Sequence, residues 1–459
     1  MRRSAIEDIR GLLRDGGSSV VDLIQRTLAD IAEQDATLGA FVSVAGEGAL
    51  REAEAADGQI RRRGDAVWAE HPLLGVPVSV KDLIQTRDLP TARGSILENR
   101  RPPVDAPAVA RLRAAGAIVI GKTATSEYGW SATTISRVGP PTRNPWDPER
   151  SAGGSSGGAA AAVTAGLCAA SLGTDGAGSI RIPAAFCGVV GFKPSFGRVP
   201  YVPPCADRLA HVGPLAASVG DVAELTAILA GPHRDDPDSG VTSAEQVVRS
   251  APLRIGWLEF PGTSAEVRAT CVQAHTALAA AGHQIEPVEV PFADPYAALV
   301  DLLAAAEAAG TPPESEPWCD PARLAVVRHG RTVSGETVMR AEQVRLTLRA
   351  RLRRLMDRYD VLAMATIPIE PFHVDAIGPE WAEDPSDLLW LAWSPATYPF
   401  NMTGQPAISI PVGRTPAGLP VGLQLVGSVG EDHLVLATAR QVEEQLDPLP
   451  APPRGAMKG

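Results

Sequence analysis

A serine that follows a short glycine-rich turn has the setting of a nucleophile. Ser179 comes directly after Gly176, Ala177 and Gly178, at the predicted start of a helix. Main-chain N–H groups at the start of a helix lack intrahelical partners, and the helix dipole favours negative charge there. The position therefore suits a reaction in which an oxyanion develops next to the attacking hydroxyl.

A second stretch that carries serine, GGSSGG at residues 153–158, has the composition of a flexible linker. Its neighbours contradict that interpretation. Residues 159–165 favour a helix, residues 167–172 are apolar enough for a buried strand, and residues 189–192 resume the apolar pattern. Glycines between packed elements indicate close approach of main chains, so the two serines are expected in a crowded, ordered loop.

Lys81 is the third side chain that could do chemistry. Residues 73–83 are apolar apart from Ser79, Lys81 and Asp82, which is typical of a strand buried on both faces. Buried lysines are rare unless they are paired, and burial lowers their pKa. Lys81 is thus either the partner of an acidic group or a neutral amine that can act as a base, and the residues alone favour the ion pair.

Five stretches together resemble one family. Residues 153–158 and 173–194 (GTDGAGSIRIPAAFCGVVGFKP) closely match the signature of the amidase signature family of serine hydrolases. Residues 75–82 (GVPVSVKD) are similar to the lysine-bearing strand of that family. Residues 404–411 (GQPAISIP) and 418–424 (GLPVGLQ) are similar to its C-terminal strands.

The resemblance, which covers most of the chain outside about 235–395, implies a Ser-cisSer-Lys triad. In that triad Ser179 attacks the substrate, and its proton passes through Ser155 to a neutral Lys81. The two serines are 24 residues apart, which fits the family pattern and selects Ser155 over Ser156. The resemblance therefore reverses the preference for an ion-paired lysine, and it implies a cis peptide bond before the bridging serine.

The resemblance also implies supporting residues around the triad. The oxyanion hole is expected at Gly176, Ala177, Gly178 and Ser179. Hydrogen bonds that hold the site are expected from Ser156, Thr174, Asp175 and Arg181. Ala177 stands where the family usually has glycine, so its methyl group is expected to disfavour a positive φ and to crowd the acyl oxygen.

Two short motifs suggest other chemistries, and both are rejected. Residues 116–123 fit the phosphate-loop pattern G-x-x-x-x-G-K-[ST], but the four intervening residues are strand formers that resist loop geometry. Residues 153–157 fit G-x-S-x-G, yet a nucleophile elbow needs a strand directly before the serine. Residues 144–150 contain two prolines and are predicted to hold no strand, and none of the eight histidines lies in a triad motif.

Charge and composition narrow the expected partners. The chain has 42 basic and 53 acidic residues and a net charge of −11, which disfavours nucleic acid and anionic membranes. No apolar window reaches the ~18–20 residues of a membrane span, and residues 1–8 lack a signal-peptide core, so a cytoplasmic protein is expected. Five scattered cysteines predict reduced thiols in apolar surroundings. Neither a metal nor a cofactor is expected.

Motifs near residues 80, 155, 179 and 405 must meet in one site, which predicts a single domain over residues 1–459. The fold class expected is α/β, with a mixed central β-sheet covered by helices on both faces, as in the amidase signature fold. The signature core spans about 70–215, and a variable substrate-pocket region about 293–395. Trp381, Trp390 and Trp393 in the second region are predicted to form either local core or a pocket wall, and we hypothesise the wall.

The function that the resemblance implies is hydrolysis of a C–N acyl bond in a small carboxamide, anilide or carbamate, with water as the only other reactant. A urethanase activity falls within this class, and a homodimer is compatible with it. The first alternative is the glutaminase subunit of a tRNA-dependent amidotransferase, which works with partner subunits. An α/β-hydrolase-type esterase and a binding protein without activity are the remaining alternatives, and the complete set of Lys81, Ser155 and Ser179 argues against the last.

Overall fold

The computed structural model describes residues 4–240 and 252–453. Thirteen strands occur in this described part of the chain: β1 (Phe41–Val44), β2 (Pro77–Lys81), β3 (Ile118–Thr123), β4 (Arg143–Asn144), β5 (Asp147–Ser151), β6 (Ala170–Asp175), β7 (Val190–Lys193), β8 (His211–Ala216), β9 (Arg254–Leu258), β10 (Gln284–Val288), β11 (Val361–Ala365), β12 (Ala407–Arg414) and β13 (Pro420–Val426). Eleven of them form one sheet in the order β1-β3-β2-β6-β8-β7-β12-β13-β11-β9-β10, and β4 pairs with β5 separately.

The central sheet is mixed. Strand β2 pairs in parallel with both β3 and β6. In the middle of the sheet, the neighbouring strands in the order β6-β8-β7-β12-β13 all pair antiparallel. At the far edge β9 pairs in parallel with β10 and β11. Because β2 and β6 are adjacent and parallel, their last residues, Lys81 and Asp175, lie at the same edge of the sheet.

Helices cover both faces of the sheet. The described residues contain α1 (Ala5–Arg14), α2 (Val20–Leu38), α3 (Gly46–Arg63), α4 (Val67–Glu70), α5 (Pro107–Ala114), α6 (Gly157–Thr164), α7 (Arg181–Cys187), α8 (Val219–Leu229), α9 (Ala265–Ala280), α10 (Tyr296–Gly310), α11 (Pro321–Gly330), α12 (Gly335–Met356), α13 (Pro399–Thr403) and α14 (Asp432–Gln445). Strand β11 shows the layering: Val361 and Ala363 pack in one hydrophobic cluster, Leu362 and Met364 in another. The molecule is therefore one α/β domain with a sheet buried between two helical layers, as predicted.

Two of these helices begin at a capping serine. The Ser19 side chain accepts a hydrogen bond from the Asp22 N–H and caps α2, and Ser218 does the same for Asp221 at the start of α8. Further along the chain, β9, α9 and β10 follow one another, and the helices α10, α11 and α12 come next.

One local prediction is wrong. Residues 144–150 were expected to hold no strand, but β4 and β5 form a short hairpin there. The sequence DPERS of β5 has neither apolar alternation nor β-branched residues, and a pairing that is stabilised mainly by main-chain hydrogen bonds leaves no such signal. The hairpin is outside the central sheet and ends at Ser151, so the rejection of a nucleophile elbow stands.

Candidate active site

The glycine-rich loop is held against residues 133–134. The Thr134 hydroxyl donates to the Gly153 carbonyl over 2.8 Å and accepts from the Gly157 N–H over 2.9 Å. A Cβ added to Gly154 would lie 2.1 Å from the Thr133 carbonyl oxygen, so only glycine fits this approach. The loop is thus ordered and crowded, as the sequence predicted, and the peptide bond that follows Gly154 is cis.

Lys81 meets Ser155 in the interior. Its Nζ lies 2.7 Å from the Ser155 Oγ and 2.9 Å from the Thr174 Oγ1. Lys81 is 0% exposed, and no carboxylate of the described residues forms an ion pair with it. Burial lowers the Lys81 pKa well below its usual value, and the charge of Asp175 only partly opposes this. The ion-pair interpretation of Lys81 is therefore wrong, and a neutral amine is favoured.

Asp175 organises the main chain on both sides of Ser179. Its carboxylate accepts the Gly178 N–H at 2.7 Å and the Ile180 N–H at 3.2 Å. Burial raises the Asp175 pKa, but the Arg181 charge and hydrogen bonds outweigh burial and hold the pKa well below its usual range. Asp175 is therefore ionised and keeps the loop around Ser179 in place.

Arg181 completes this network with all of its N–H groups. It donates from Nε and Nη2 to Asp175, at 2.9 and 3.0 Å, and from Nη1 to the Thr397 carbonyl at 2.9 Å. The side-chain oxygens of Asn401 and Gln424 accept its two remaining N–H groups, at 2.5 and 2.7 Å. A buried guanidinium that is fully hydrogen-bonded fixes the C-terminal strands to the loop that carries the nucleophile candidate.

A main-chain hydrogen bond connects Ser179 to the glycine-rich loop. The Ser156 N–H donates to the Ser179 carbonyl over 3.1 Å, and the Ser156 hydroxyl donates to the Thr174 carbonyl over 3.1 Å. Among the described residues no hydrogen bond connects the side chains of Ser155 and Ser179. The structure thus brings Lys81 to Ser155 directly and Ser179 to the same loop.

The expected oxyanion loop differs from the prediction in two respects. The Gly178 N–H is already bonded to Asp175, so the N–H groups of Gly176, Ala177 and Ser179 remain for an oxyanion. The positive φ of the loop falls on Gly178, at 128°, and not on Ala177. The expected strain at Ala177 is therefore absent, because its neighbour supplies the conformation that only glycine adopts easily.

Three contributors to the site were missed from the sequence: Thr397, Asn401 and Gln424. Beyond the Arg181 contacts, the Thr397 hydroxyl donates to the Ala177 carbonyl over 2.7 Å, and the Asn401 amide donates to Asp175 over 2.9 Å. Asn401 and Gln424 adjoin or fall within family-like stretches, which was a usable signal. Thr397 lies between the variable region, which ends at about residue 395, and the family-like stretch that begins at residue 404, and it had no such signal.

The three tryptophans of the variable region differ in their burial. Trp390 and Trp393 are each 1% exposed, and Trp393 stacks on Phe186 with ring centroids 6.0 Å apart. The Trp393 Nε1 donates to the Trp390 carbonyl over 2.9 Å. Trp381 is 56% exposed and takes no part in this cluster. The structure therefore assigns Trp390 and Trp393 to the core behind the site and contradicts a pocket wall made of all three.

Among the described residues, neither rejected motif forms the nucleotide site or the histidine-based catalytic site that its pattern suggests. Residues 116–123 contain β3, and the Nζ of buried Lys122 donates to the Ile84 carbonyl and lies 3.5 Å from an Asp82 carboxylate oxygen. The His211 Nδ1 donates to the Leu209 carbonyl over 2.7 Å. No histidine among the described residues is hydrogen-bonded to either candidate serine of the site.

In residues 4–240 and 252–453, no helix combines the length and the apolar character that crossing a membrane requires. The same residues contain no group of three or more His, Cys, Asp or Glu side chains arranged to hold a metal ion. All five cysteines are free thiols, four of them buried and Cys205 half-buried, as the composition predicted.

Comparisons with known proteins show a match over most of the chain. The family model described as Amidase matches residues 22–436. A subunit of the Glutamyl-tRNA(Gln) amidotransferase of Anaeromyxobacter dehalogenans (strain 2CP-C) is 36% identical over 498 aligned positions, covering 96% of this chain and 97% of that protein. The match extends well beyond the short signature motifs.

Two solved structures share the fold over nearly the whole chain. A bacterial aryl acylamidase of the amidase signature family superposes with a TM-score of 0.86 at 26% identity, covering 96% of each chain. The corresponding Glutamyl-tRNA(Gln) amidotransferase subunit from Thermotoga maritima gives a TM-score of 0.77 at 28% identity, covering 95% of each chain. With the family model spanning most of the residues, these matches show that the chain belongs to the amidase signature family of enzymes acting on C–N bonds.

Proposed function

We propose that this enzyme hydrolyses the C–N acyl bond of a small carboxamide, anilide or carbamate through an acyl-enzyme on Ser179. The observation that carries the proposal is the buried Lys81, whose Nζ lies 2.7 Å from the Ser155 Oγ and has no ion-pair partner among the described residues. A neutral amine bonded to a serine hydroxyl is the arrangement that a proton relay needs.

The proposed first half-reaction forms the acyl-enzyme. The Ser179 hydroxyl oxygen bonds to the acyl carbon while its proton passes to Ser155, and the Ser155 proton passes to Lys81. The carbonyl oxygen becomes an oxyanion, which the free N–H groups at residues 176, 177 and 179 stabilise. The C–N bond then breaks, and the proton held by Lys81 returns through Ser155 to the departing amine.

The second half-reaction repeats the relay with water. Water gives a proton to Ser155 and attacks the acyl carbon of the ester at Ser179. Collapse of the intermediate breaks the ester bond, and Ser179 regains its proton. The products are the amine and a carboxylic acid, or, when the substrate is a carbamate, the amine and a carbonic acid monoester that loses CO2 to give the alcohol.

A second candidate function is the glutaminase step of a tRNA-dependent amidotransferase. The 36% identity to the Anaeromyxobacter amidotransferase subunit favours it. The higher TM-score with the aryl acylamidase, 0.86 against 0.77 for the Thermotoga amidotransferase subunit, supports the stand-alone hydrolase instead. The TM-score compares nearly the whole chain, so the region outside the signature core contributes to the difference between the two scores.

The test is turnover by the purified single chain. A panel of amides, anilides, carbamates and glutamine is incubated with the enzyme, and acyl-enzyme is sought by intact-protein mass spectrometry. We expect an adduct with a non-glutamine substrate, and we expect Ser179→Ala to abolish it without unfolding the protein. The Ser156→Ala variant loses a hydroxyl that bonds the Thr174 carbonyl, so it should form the adduct more slowly but still form it. Turnover of glutamine alone would favour the amidotransferase function, and an adduct on Ser179→Ala would refute the nucleophile.

A further inference from the structure

Arg323, on α11 in the variable region, is a buried arginine with several partners. Its side chain is shielded from solvent, and the whole residue is 2% exposed. Its Nε donates to the Glu307 carboxylate over 2.8 Å, and its Nη2 donates to the Thr311 Oγ1 over 2.7 Å. Its Nη1 donates to the carboxylate of buried Glu127 over 3.3 Å. Arginine is rarely buried unless it is paired, and here two carboxylates compensate its charge.

These contacts join α11 to a short turn, Glu127–Gly129. The guanidinium carbon of Arg323 lies 4.5 Å from the centroid of the Tyr128 ring, within the range of a cation–π interaction. The Glu127 carboxylate also accepts the Asp320 N–H over 2.8 Å, directly before α11 begins. The turn is therefore tied to the variable region through two adjacent residues, Glu127 and Tyr128.

The same turn contacts the bridging serine. A Cβ added to Gly129 would lie 3.2 Å from the Ser155 Oγ and 2.8 Å from the Leu83 side chain. The main chain at Gly129 thus covers the hydroxyl that lies 2.7 Å from the Lys81 Nζ. A displacement of the turn would directly change the surroundings of the pair formed by Ser155 and Lys81.

The turn depends on outside support because its main chain is strained. Tyr128 has φ 52° and ψ 11°, in the left-handed region that a bulky residue seldom adopts. Such a conformation persists only where the surrounding contacts fix it. The Tyr128 N–H donates to the Arg93 carbonyl over 2.8 Å, and its hydroxyl donates to Glu98 over 2.9 Å. The Arg323 guanidinium adds the contact with the ring.

We propose that Arg323 is a positioning residue, which holds the Glu127–Gly129 turn against Ser155 and thereby aligns the relay from Ser179 to Lys81. This inference rests on the proposed function and gives the variable region a part in the reaction itself. The described contacts of Arg323 include neither serine, so it acts through the turn.

The experiment compares Arg323→Lys with a matched control. Lysine keeps the charge, but its compact ammonium cannot replace the planar fork that contacts two carboxylates and an aromatic ring at once. The control is Arg113→Lys, which changes another largely buried arginine. Its carboxylate partners lie outside the turn: Glu52, Asp88 and Asp105. Single-turnover acylation is measured against substrate concentration and pH on an activated anilide.

We expect Arg323→Lys to lower the saturating rate of acylation about 10- to 10²-fold, the loss that a small misplacement of a reacting group gives. The substrate concentration that gives half of this rate should change less than about twofold, because no substrate contact is removed. Arg113→Lys should lower stability and leave the acylation rate unchanged. A folded Arg323→Lys protein with the wild-type rate would overturn the proposal.

The pH dependence gives a readout that a loss of stability alone would not move. A loosened turn admits water to Lys81, and hydration returns its pKa toward the usual value, so the midpoint of the pH–rate profile should move to higher pH. Asp175, the charged group that acts on the Lys81 pKa, is unchanged in both variants. Arg113→Lys should keep the wild-type midpoint. The same midpoint in Arg323→Lys and the wild type would contradict the loosened turn.

A second pair of variants covers the case in which Arg323→Lys does not fold. Tyr128→Leu removes the ring and leaves the buried carboxylates paired with Arg323, whereas Tyr128→Phe keeps the ring and removes the hydroxyl contact with Glu98. We expect Tyr128→Leu to reproduce the loss of rate and Tyr128→Phe to lose less. Equal losses in the two variants would overturn the role of the arginine contact.

Hydrogen exchange separates this proposal from the proposed function. The N–H groups of residues 128–130 are hydrogen-bonded to main-chain carbonyls, so their exchange reports opening of the turn. Peptides that cover these residues should exchange faster in Arg323→Lys than in the wild type or in Arg113→Lys. The comparison needs no substrate, so it holds even if the wild type forms no acyl-enzyme on Ser179, the result that would refute the proposed function. Unchanged exchange at residues 128–130 would overturn the positioning by Arg323.

Discussion

Two buried lysines on neighbouring strands differ in the partners of their Nζ atoms. Lys122 on β3 lies 3.5 Å from Asp82, and burial lowers its pKa to about 8 despite that carboxylate. Lys81 on β2 has hydroxyl partners, Ser155 and Thr174, in place of a carboxylate. Of the two, Lys81 alone is bonded to a serine of the glycine-rich loop, so it is the base in our proposal.

The first prediction concerns Lys81→Arg. Arginine keeps its proton at all accessible pH values, so the relay fails, and we expect acylation to fall by ~10² or more. In the wild type, activity should rise with pH as Lys81 loses its proton, with a midpoint below the ordinary lysine value of ~10.4, because burial disfavours the charged form. Rates of acylation measured against pH on an activated anilide provide the test.

Lys122→Arg is the control for that prediction, because it changes a buried lysine of the neighbouring strand that does not contact Ser155. Its stability should change, but the shape of the pH–rate profile should not. A folded Lys81→Arg enzyme that keeps most of its acylation rate would refute the relay and return the search for a base to the histidines.

At the residue scale, the sequence does not predict side-chain contacts between residues from distant parts of the chain. Whether Lys81 is paired or neutral depends on what surrounds its Nζ, and the pattern of one strand leaves this open. The resemblance to a family supplied that choice. Thr397 had no such support, because its contact with Ala177 joins residues 220 positions apart.

At the scale of elements, helices with a capping serine and strands with an apolar run were predictable because their signals are local. The hairpin of β4 and β5 was not, since its residues are polar and its pairing uses main-chain groups. The tryptophan-bearing segment shows a different limit. Aromatic residues suit both a core and a pocket wall, and only the packing of Trp390 and Trp393 against Phe186 and Trp130 decides between them.

The second prediction follows from that packing. Trp393→Ala removes a side chain that is 1% exposed, and we expect a loss of about 3–5 kcal/mol in the free energy of unfolding. Activity should fall alike on every substrate, because the core behind the site is loosened and no pocket contact is lost. Trp381→Ala, at an exposed position, should stay within about 0.5 kcal/mol of the wild type. Urea denaturation measures both, and a changed substrate ranking in a stable Trp393→Ala protein would restore the pocket-wall hypothesis.

At the scale of the whole molecule, the site depends on a sheet that brings distant segments together. Lys81 ends β2, Asp175 ends β6, and Asn401 and Gln424 come from the C-terminal part of the chain. The single domain was predictable from this interleaving, because motifs spread over the chain must meet in one place. The strand order was not, since pairing between distant strands has no signature in either strand alone.

The third prediction concerns the cysteines of the whole chain as alternatives to a serine nucleophile. Burial raises the pKa of Cys168, Cys205 and Cys271 to about 12, and it also raises the pKa of Cys187 and Cys319. At pH 8 a thiol with a pKa of about 12 has ~10³ less thiolate than one at ~8.5, so the native protein should react slowly with a thiol reagent.

Titration with a chromogenic disulfide reagent tests this directly. We expect five reactive thiols in denaturant, with or without prior reduction, because the structure contains five free cysteines and all of them are described. In the native protein the same reagent should react on the order of 10³ more slowly with Cys168, Cys205 and Cys271 and should leave amidase activity intact, whereas a reagent that acylates serine should abolish it. Fewer than five thiols before reduction would reveal a disulfide. Rapid loss of activity with the thiol reagent would place a cysteine in the reaction and contradict the serine mechanism at the level of the whole protein.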